Sequence, residues 1–485
     1  MDEKFFPMHK EDKPQHQGSD DEDSEEEMSD YDSDLSDDCW DGSSWESLPD
    51  VCLRCLFTFL SDRDRRSAAL VCHHWHNVMR SPSLWRCRYF HFSGRLSKFR
   101  QSEYCSAVTY ARYLGVYLER LEVCVCPPRR SLVAQRLEQV ISGLISELTR
   151  VRAPLHSLSI VKLELDRPAW TPGLRNSLIN SLIRFIQKVG SKLSSICLSR
   201  MRNNTFQGLE LLSALSNSQS RFSPRYCISS LGLEGFFSSA TYVHLNSDMP
   251  CILRNLRGLT DLRLSYSCVS DQLLIALQHK HRVGKRTTSR DGSPLQKLSL
   301  HCALNEPHQQ LVSGDSWEAL ASSCPDLQIK FTVDQIINTD CLARMLLREI
   351  PLTEYGMTAF YSPDVTWSAK PVLSNLLPQY RRSLQFLTLD LTNCSEDLDE
   401  ELLELVKVCK RLEQLRIWAF LEIRTVERLL QIRLTERTQL NKIRVRIYSV
   451  NEDTSEEEDQ LEDMLSSYRH LPPELQFYAI LCPYV

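Results

Sequence analysis

Cys52 and Cys55 are spaced as Cys-x-x-Cys, with His73, His74 and His76 downstream. Thiolate and imidazole are the donors that hold zinc, but a structural zinc site needs four ligands, and no second Cys-x-x-Cys accompanies this pair. Both cysteines fall inside an apolar helical pattern, where reduced cysteine behaves as a small hydrophobe. Gly284-Lys285-Arg286-Thr287 looks like a fragment of a phosphate-binding loop. It lacks the glycine five residues earlier and a Ser or Thr directly after the lysine, so the backbone cradle is incomplete. The adjacent carboxylates Glu400 and Glu401 could share acid–base work, yet they sit in an amphipathic helical pattern and are expected to face water. Neither Gly-x-Ser-x-Gly nor His-Glu-x-x-His occurs. The chain is read as a non-enzyme, with no metal and no cofactor.

What remains is recognition chemistry. Gln414, Arg416 and Trp418 alternate with Leu415 and Ile417, and Lys442, Arg444 and Arg446 alternate with Ile443 and Val445. Strand side chains point alternately to opposite faces, so each set shares one face away from the core. Arg263, Lys297 and His301 occupy comparable positions upstream. Arginine forks beside a tryptophan suit an acidic or phosphorylated segment, since they pair bidentately with carboxylate or phosphate. The plainer expectation is that these cations solvate the sheet or pair with glutamate-rich helices.

The elements that must position these residues come from a repeat. Leu-x-x-Leu-x-Leu, with Ile or Val allowed, recurs nine times between Leu118 and Val445. Its starts are Leu118, Leu155, Leu193, Ile228, Leu259, Leu295, Leu384, Leu412 and Leu440, separated by 37, 38, 35, 31, 36, 89, 28 and 28 residues. The long gap has room for two degenerate units, at Leu327–Val333 and near Leu346–Met357. Between the motifs lie helical faces such as Leu174, Leu178, Leu182, Phe185 and Val189, or Leu402, Leu403, Leu405, Val406 and Cys409. Strand then helix at this period is the leucine-rich-repeat unit, which buries its leucines only against neighbours and stacks into a curved solenoid. Leu475, Phe477, Ala479 and Leu481 read as a closing strand. Two polar insertions, His279–Gly292 (basic) and Asn451–Asp459 (acidic), are expected on the exposed rim.

Ahead of the repeats, residues 45–90 read as three short helices. Leu48-Pro49 opens them, Leu53, Leu56, Phe57 and Leu60 recur at i, i+3, i+4 and i+7, and Val71, Trp75 and Leu84-Trp85 follow. A module this small buries little by itself and needs a partner or the domain behind it. That ordered set resembles an F-box. With the segments 62–72, 157–167, 346–351, 398–406 and 416–421, the chain from Trp45 onward resembles the F-box proteins with degenerate leucine-rich repeats. The fold this implies is α/β: a three-helix F-box followed by a leucine-rich-repeat solenoid of the ribonuclease-inhibitor kind. The resemblance implies a substrate-recognition subunit of a Skp–cullin–F-box ubiquitin ligase. Its F-box would bind the Skp adaptor at or just above Leu48, Pro49, Leu53, Leu60, Val71, Trp75 and Trp85, linking it to a cullin–RING core, and its repeats would bind a protein substrate. The alternative is a repeat scaffold that sequesters its target. The expected division is an acidic leader at 1–44, the F-box at 45–90, a helical linker at 91–117 and the solenoid at 118–485.

Charge is distributed unevenly. Residues 1–38 hold 16 acidic and 3 basic side chains, so a chain of net charge −6 is +7 over the remainder. Residues 19–38 contain 12 acids, too few apolar groups to offset ordering, and are expected to be disordered. Ser19, Ser24 and Ser29 each have an acid three residues on, a casein-kinase-II-like context. The start of the chain lacks an apolar signal core and no run is long enough to span a bilayer. With 18 scattered cysteines, the reading is a cytoplasmic or nuclear protein that meets no membrane. The 279–292 cluster alone is a small footprint for nucleic acid.

Overall fold

The structure is a computed structural model. It describes residues 45, 48–60, 62–92, 101–220, 227–239, 241–256, 258–278, 294–306, 308–336, 338–359, 368–391, 396–449, 454–468 and 471–483. The acidic leader and the 279–292 insertion lie outside them.

Three short helices open the fold: α1 (Asp50–Thr58), α2 (Asp62–Ala68) and α3 (His73–Met79). Pro49 precedes α1 as its cap residue, and its carbonyl accepts from the Cys52 and Leu53 amides. Leu53 and Phe57, one turn apart, pack with Ala68, Ala69, Val78, Met79, Leu84 and Trp85 into a small core of their own. Arg65 ties it together. Its guanidinium donates to the carbonyls of Phe57, Thr58 and Leu84 and lies 5.7 Å from the Trp85 ring centroid. Leu56 was expected on the buried face, but it is exposed. The core takes only the Leu53–Phe57 stripe, with Leu60 half-buried at its edge.

Behind the helices runs one parallel sheet of thirteen strands in strict chain order. They are β1 (Cys87–Phe92), β2 (Arg120–Val125), β3 (Ser157–Val161), β4 (Ser195–Cys197), β5 (Ser230–Leu233), β6 (Asp261–Ser265), β7 (Lys297–Ala303), β8 (Gln328–Asp334), β9 (Leu352–Thr358), β10 (Phe386–Asp390), β11 (Gln414–Ala419), β12 (Lys442–Ser449) and β13 (Gln476–Pro483). All nine leucine motifs fall on strands, the two degenerate units are β8 and β9, and the closing strand is β13. Register carries the motif across the sheet. Leu415 stands beside Leu387 and Ile443, and Ile417 beside Leu389 and Val445, all of them buried.

Helices cover the other side of those leucines: α4 (Gln101–Leu114), α5 (Ser131–Arg150), α6 (Pro172–Val189), α7 (Thr205–Ser220), α8 (Asp248–Arg254), α9 (Asp271–Leu277), α10 (Gly314–Ser323), α11 (Thr339–Met345), α12 (Asp399–Val408), α13 (Ile423–Thr435) and α14 (Ser455–Ser467). Between β9 and β10 the described cover is a π-helical turn at Val372–Leu376 and a 3-10 turn at Leu377–Tyr380. One continuous core runs from Phe90 to Leu481. After β3, β4 and β5 the chain makes stacked turns in which Lys162, Glu164, Arg200, Arg202 and Gly235 take positive φ. The Glu164 amide donates to the Arg200 carbonyl, and the Arg202 amide to Gly235.

Two features differ from the sequence reading. The sheet begins at β1, upstream of Leu118, and the 91–117 stretch holds the end of β1 together with α4. In β1 an arginine, Arg88, takes the register position that Leu121 fills in β2, so the leucine motif is missing. Its guanidinium lies 5.0 Å from the Phe90 ring centroid and 4.8 Å from that of Tyr110. The acidic insertion is also more than a loop. Residues 455–459 start α14, where Glu456, Glu457 and Glu458 favour the positive helix N-terminus and Leu461 anchors the helix to the core.

Candidate functional site

Two surfaces of this molecule carry side chains that its own fold does not use. The first is apolar and belongs to the N-terminal helices. Phe59 is 82% exposed, Leu70 83%, Val51 68% and Val71 60%; Trp45, Leu56, Cys52 and Cys55 are exposed as well. Val51, Cys55 and Phe59 lie at i, i+4 and i+8, a second apolar stripe on α1 beside the buried one. A helix apolar on more than one face belongs in an interior. On a module whose core is already filled, the second stripe is left in solvent. Leu70 and Val71 extend the exposed apolar set into the turn between α2 and α3. Trp75 stands edge-on to Phe57 with ring centroids 5.2 Å apart, and its indole N–H donates to the Trp45 carbonyl.

The second surface is basic and lies on the sheet face opposite the helices. Gln414 pairs in register with Lys442, Arg416 with Arg444, and Trp418 with Arg446. Arg446 sits 4.4 Å from the Trp418 ring centroid, a cation–π contact. A groove of about 360 Å³ is lined by side chains from β7 through β12, which requires the sheet to bow around it. Its cations are Lys297, Lys330, Arg416, Lys442 and Arg444, its one carboxylate is Glu354, and that group is held by Lys330 at 2.5 Å. Phe386 and Thr388 form its floor between the two ends.

Known proteins resemble this chain in both parts. The F-box-like family matches residues 45–91. F-box/LRR-repeat protein 21 of Ovis aries is 23% identical over 380 residues, 76% of this chain and 76% of that protein. Its Mus musculus counterpart is 21% identical over 377 residues, again 76% of each. The chain thus carries an F-box-like module at residues 45–91, followed by a repeat array. The crystal structure of Rad7 and Elc1 complex in yeast contains a chain 13% identical, covering 90% of this chain and 93% of that one at a TM-score of 0.38.

Within the F-box the structure sorts the residues expected at the adaptor surface. Leu53 (0% exposed) and Trp85 (8%) are core, and the Trp85 indole N–H donates to the Met79 carbonyl. They hold the helices together from beneath the surface. Leu48, Leu60 and Trp75 are half-buried against that core, while Pro49 and Val71 are open to solvent. The reading did not single out Val51, Phe59 and Leu70, which the structure leaves exposed. The i, i+4, i+8 spacing on α1 was the available signal, hidden because one helix carries two apolar stripes.

On the repeats, Arg416, Lys442, Arg444 and Lys297 all line the groove, and Trp418 and Arg446 follow along the same strands. Arg263 and His301 do not join them. The Arg263 guanidinium lies over Gly232, in the space a side chain there would need. His301 bonds Asp334 at 2.7 Å. That hydrogen bond raises the histidine pKa and lowers that of Asp334. Nearby, burial raises the pKa of Glu306, whose carboxylate accepts from Ser265 and Ser267. Glu400 faces water as expected and pairs with Arg428, whereas Glu401 is half-buried beside Lys370. Among the described residues no group of three His, Cys, Asp or Glu is placed to hold a metal, and no helix is long and apolar enough to cross a membrane.

Proposed function

We propose that this chain is the substrate-recognition subunit of a Skp–cullin–F-box ubiquitin ligase. Its F-box docks a Skp-class adaptor through Val51, Phe59, Leu70 and Val71, with Trp45, Pro49 and Trp75 at the margin, and its repeats hold a protein for modification. The observation that carries the reading is the set of large exposed apolar side chains on a helical module whose core is already complete without them. The chain supplies no catalytic group in this scheme. It raises the effective concentration of its target near the partner enzymes. The basic groove over β7–β12 is the surface proposed to hold the target, through an acidic or phosphorylated segment.

The test is recovery of a Skp-class adaptor and a cullin with the full chain from cells, compared with a Leu70→Asp, Val71→Asp variant. Loss of both partners with an unchanged melting profile supports the reading. Equal recovery by the variant removes the docking surface, and absence of both partners from the wild-type chain leaves a scaffold that acts without ubiquitination.

A further inference from the structure

The groove carries more positive charge than the fold around it balances. The side chains of Lys297, Arg416, Lys442 and Arg444 have no carboxylate within ion-pairing distance among the described residues, and only Glu354 tempers the groove. Arg416 and Arg444 are direct neighbours across β11 and β12, an arrangement in which like charges repel. The same chain holds the opposite charge in residues 19–38, with 12 acidic side chains. From the β1 edge, where the F-box packs, to β11 is ten strand steps, about 48 Å along the arc. About twenty residues upstream of Trp45 can reach roughly 66 Å. The acidic run is therefore long enough and close enough to arrive there.

We propose that residues 19–38 occupy the basic groove of their own chain as an internal mimic of an acidic target, which must displace them to bind. The proposal rests on the reading of the groove as the target-holding surface, and adds how that surface is controlled. Tethering sets an effective concentration on the order of millimolar, so even a weak contact is largely filled. Phosphorylation of Ser19, Ser24 or Ser29 adds roughly −1.5 to −2 charge each and strengthens the contact. The groove is then open only to targets that present more anionic charge, or better-spaced charge, than the chain's own segment.

Carbodiimide cross-linking of the full chain reads the contact directly, because it joins a carboxylate to a lysine amine with no spacer. Expected are links from residues 19–38 to Lys297 and Lys442, with a yield independent of protein concentration. The links should fall several-fold in about 0.5 M salt, where the screening length is about 4 Å. They should fall equally in Arg416→Gln, Arg444→Gln, which keeps both lysines; Arg416→Ala, Arg444→Ala is the second variant if the first is poorly folded. Links chiefly to lysines outside the groove, or none, overturn the proposal. A yield that drops on dilution assigns the groove to another copy's segment and overturns it too. Adaptor recovery, measured on the same samples, reports on the docking reading separately.

Discussion

Phe59→Lys separates docking from folding in a single substitution. Phe59 is the residue after the last turn of α1, and most of its ring is in water. Removing it costs the fold little, within about 0.5 kcal/mol for an exposed site. A cation at a helix C-terminus returns a few tenths of a kcal/mol. At an interface the same change removes an aromatic anchor worth about 2 kcal/mol or more and places a charge where an apolar surface should close. At 1.4 kcal/mol per decade that is a thirtyfold or greater weakening. Leu53→Ala is the contrast. It empties a fully buried site between Phe57, Val78, Met79 and Leu84, a loss of about 2–5 kcal/mol that so small a module can hardly absorb. Calorimetric titration with a purified Skp-class adaptor, alongside amide exchange of residues 50–85, distinguishes the two. Phe59→Lys should weaken binding with native protection, and Leu53→Ala should weaken it with lost protection. Binding of Phe59→Lys within about threefold of wild type, with exchange unchanged, refutes the assignment of the docking face.

The repeats make their own predictions. Arg416→Glu places opposite charges across β11 and β12, so calorimetry should show stability unchanged or raised by up to about 1 kcal/mol; a clear fall would make Arg416 structural. Gly208→Ala should destabilise by about 1–3 kcal/mol in denaturant titration, because the new methyl would stand 2.5 Å from the Phe237 ring, outweighing the gain in helix propensity. For His301→Gln the raised histidine pKa gives a contribution complete below the ordinary value of 6.5 and lost as pH climbs through the raised one. The lowered pKa of Asp334 gives one present above 3.8 and lost as pH falls through the depressed value. The gap in Tm between wild type and His301→Gln should therefore be wider near pH 5.5 than near pH 8.5, and an equal gap at both would deny the pair its charge.

The repeat array was legible because its signal is chemical. Each unit needs leucines at fixed offsets to close against its neighbour, and the same offsets name the side chains that must point the other way. Hence Arg416, Lys442, Arg444 and Lys297 were placed together from spacing alone, and the structure sets them around one groove. β1 was not legible, because Arg88 stacked on aromatic rings replaces a leucine there, and no periodicity encodes that exchange. His301 and Arg263 lie outside the groove for a related reason. A position on the right face says nothing about a partner on the next strand, and Asp334 and the bare backbone at Gly232 claim them. In the F-box, position could not separate core from surface because both stripes of α1 are apolar. Only packing shows that Leu53 is spent inside while Phe59 is left over.

Because each strand touches only its neighbours in sequence, the sheet is also a lever. The F-box grips one end, and the basic groove begins six strands away and reaches β12. A change of about one degree in the rotation at each step accumulates to about ten degrees across ten steps. Volume changes in the intervening core, such as that beneath the turns at 372–380, thus act on aim as well as on strength. A substitution far from both surfaces, silent in every binding assay, can therefore change the angle between the F-box helices and the groove.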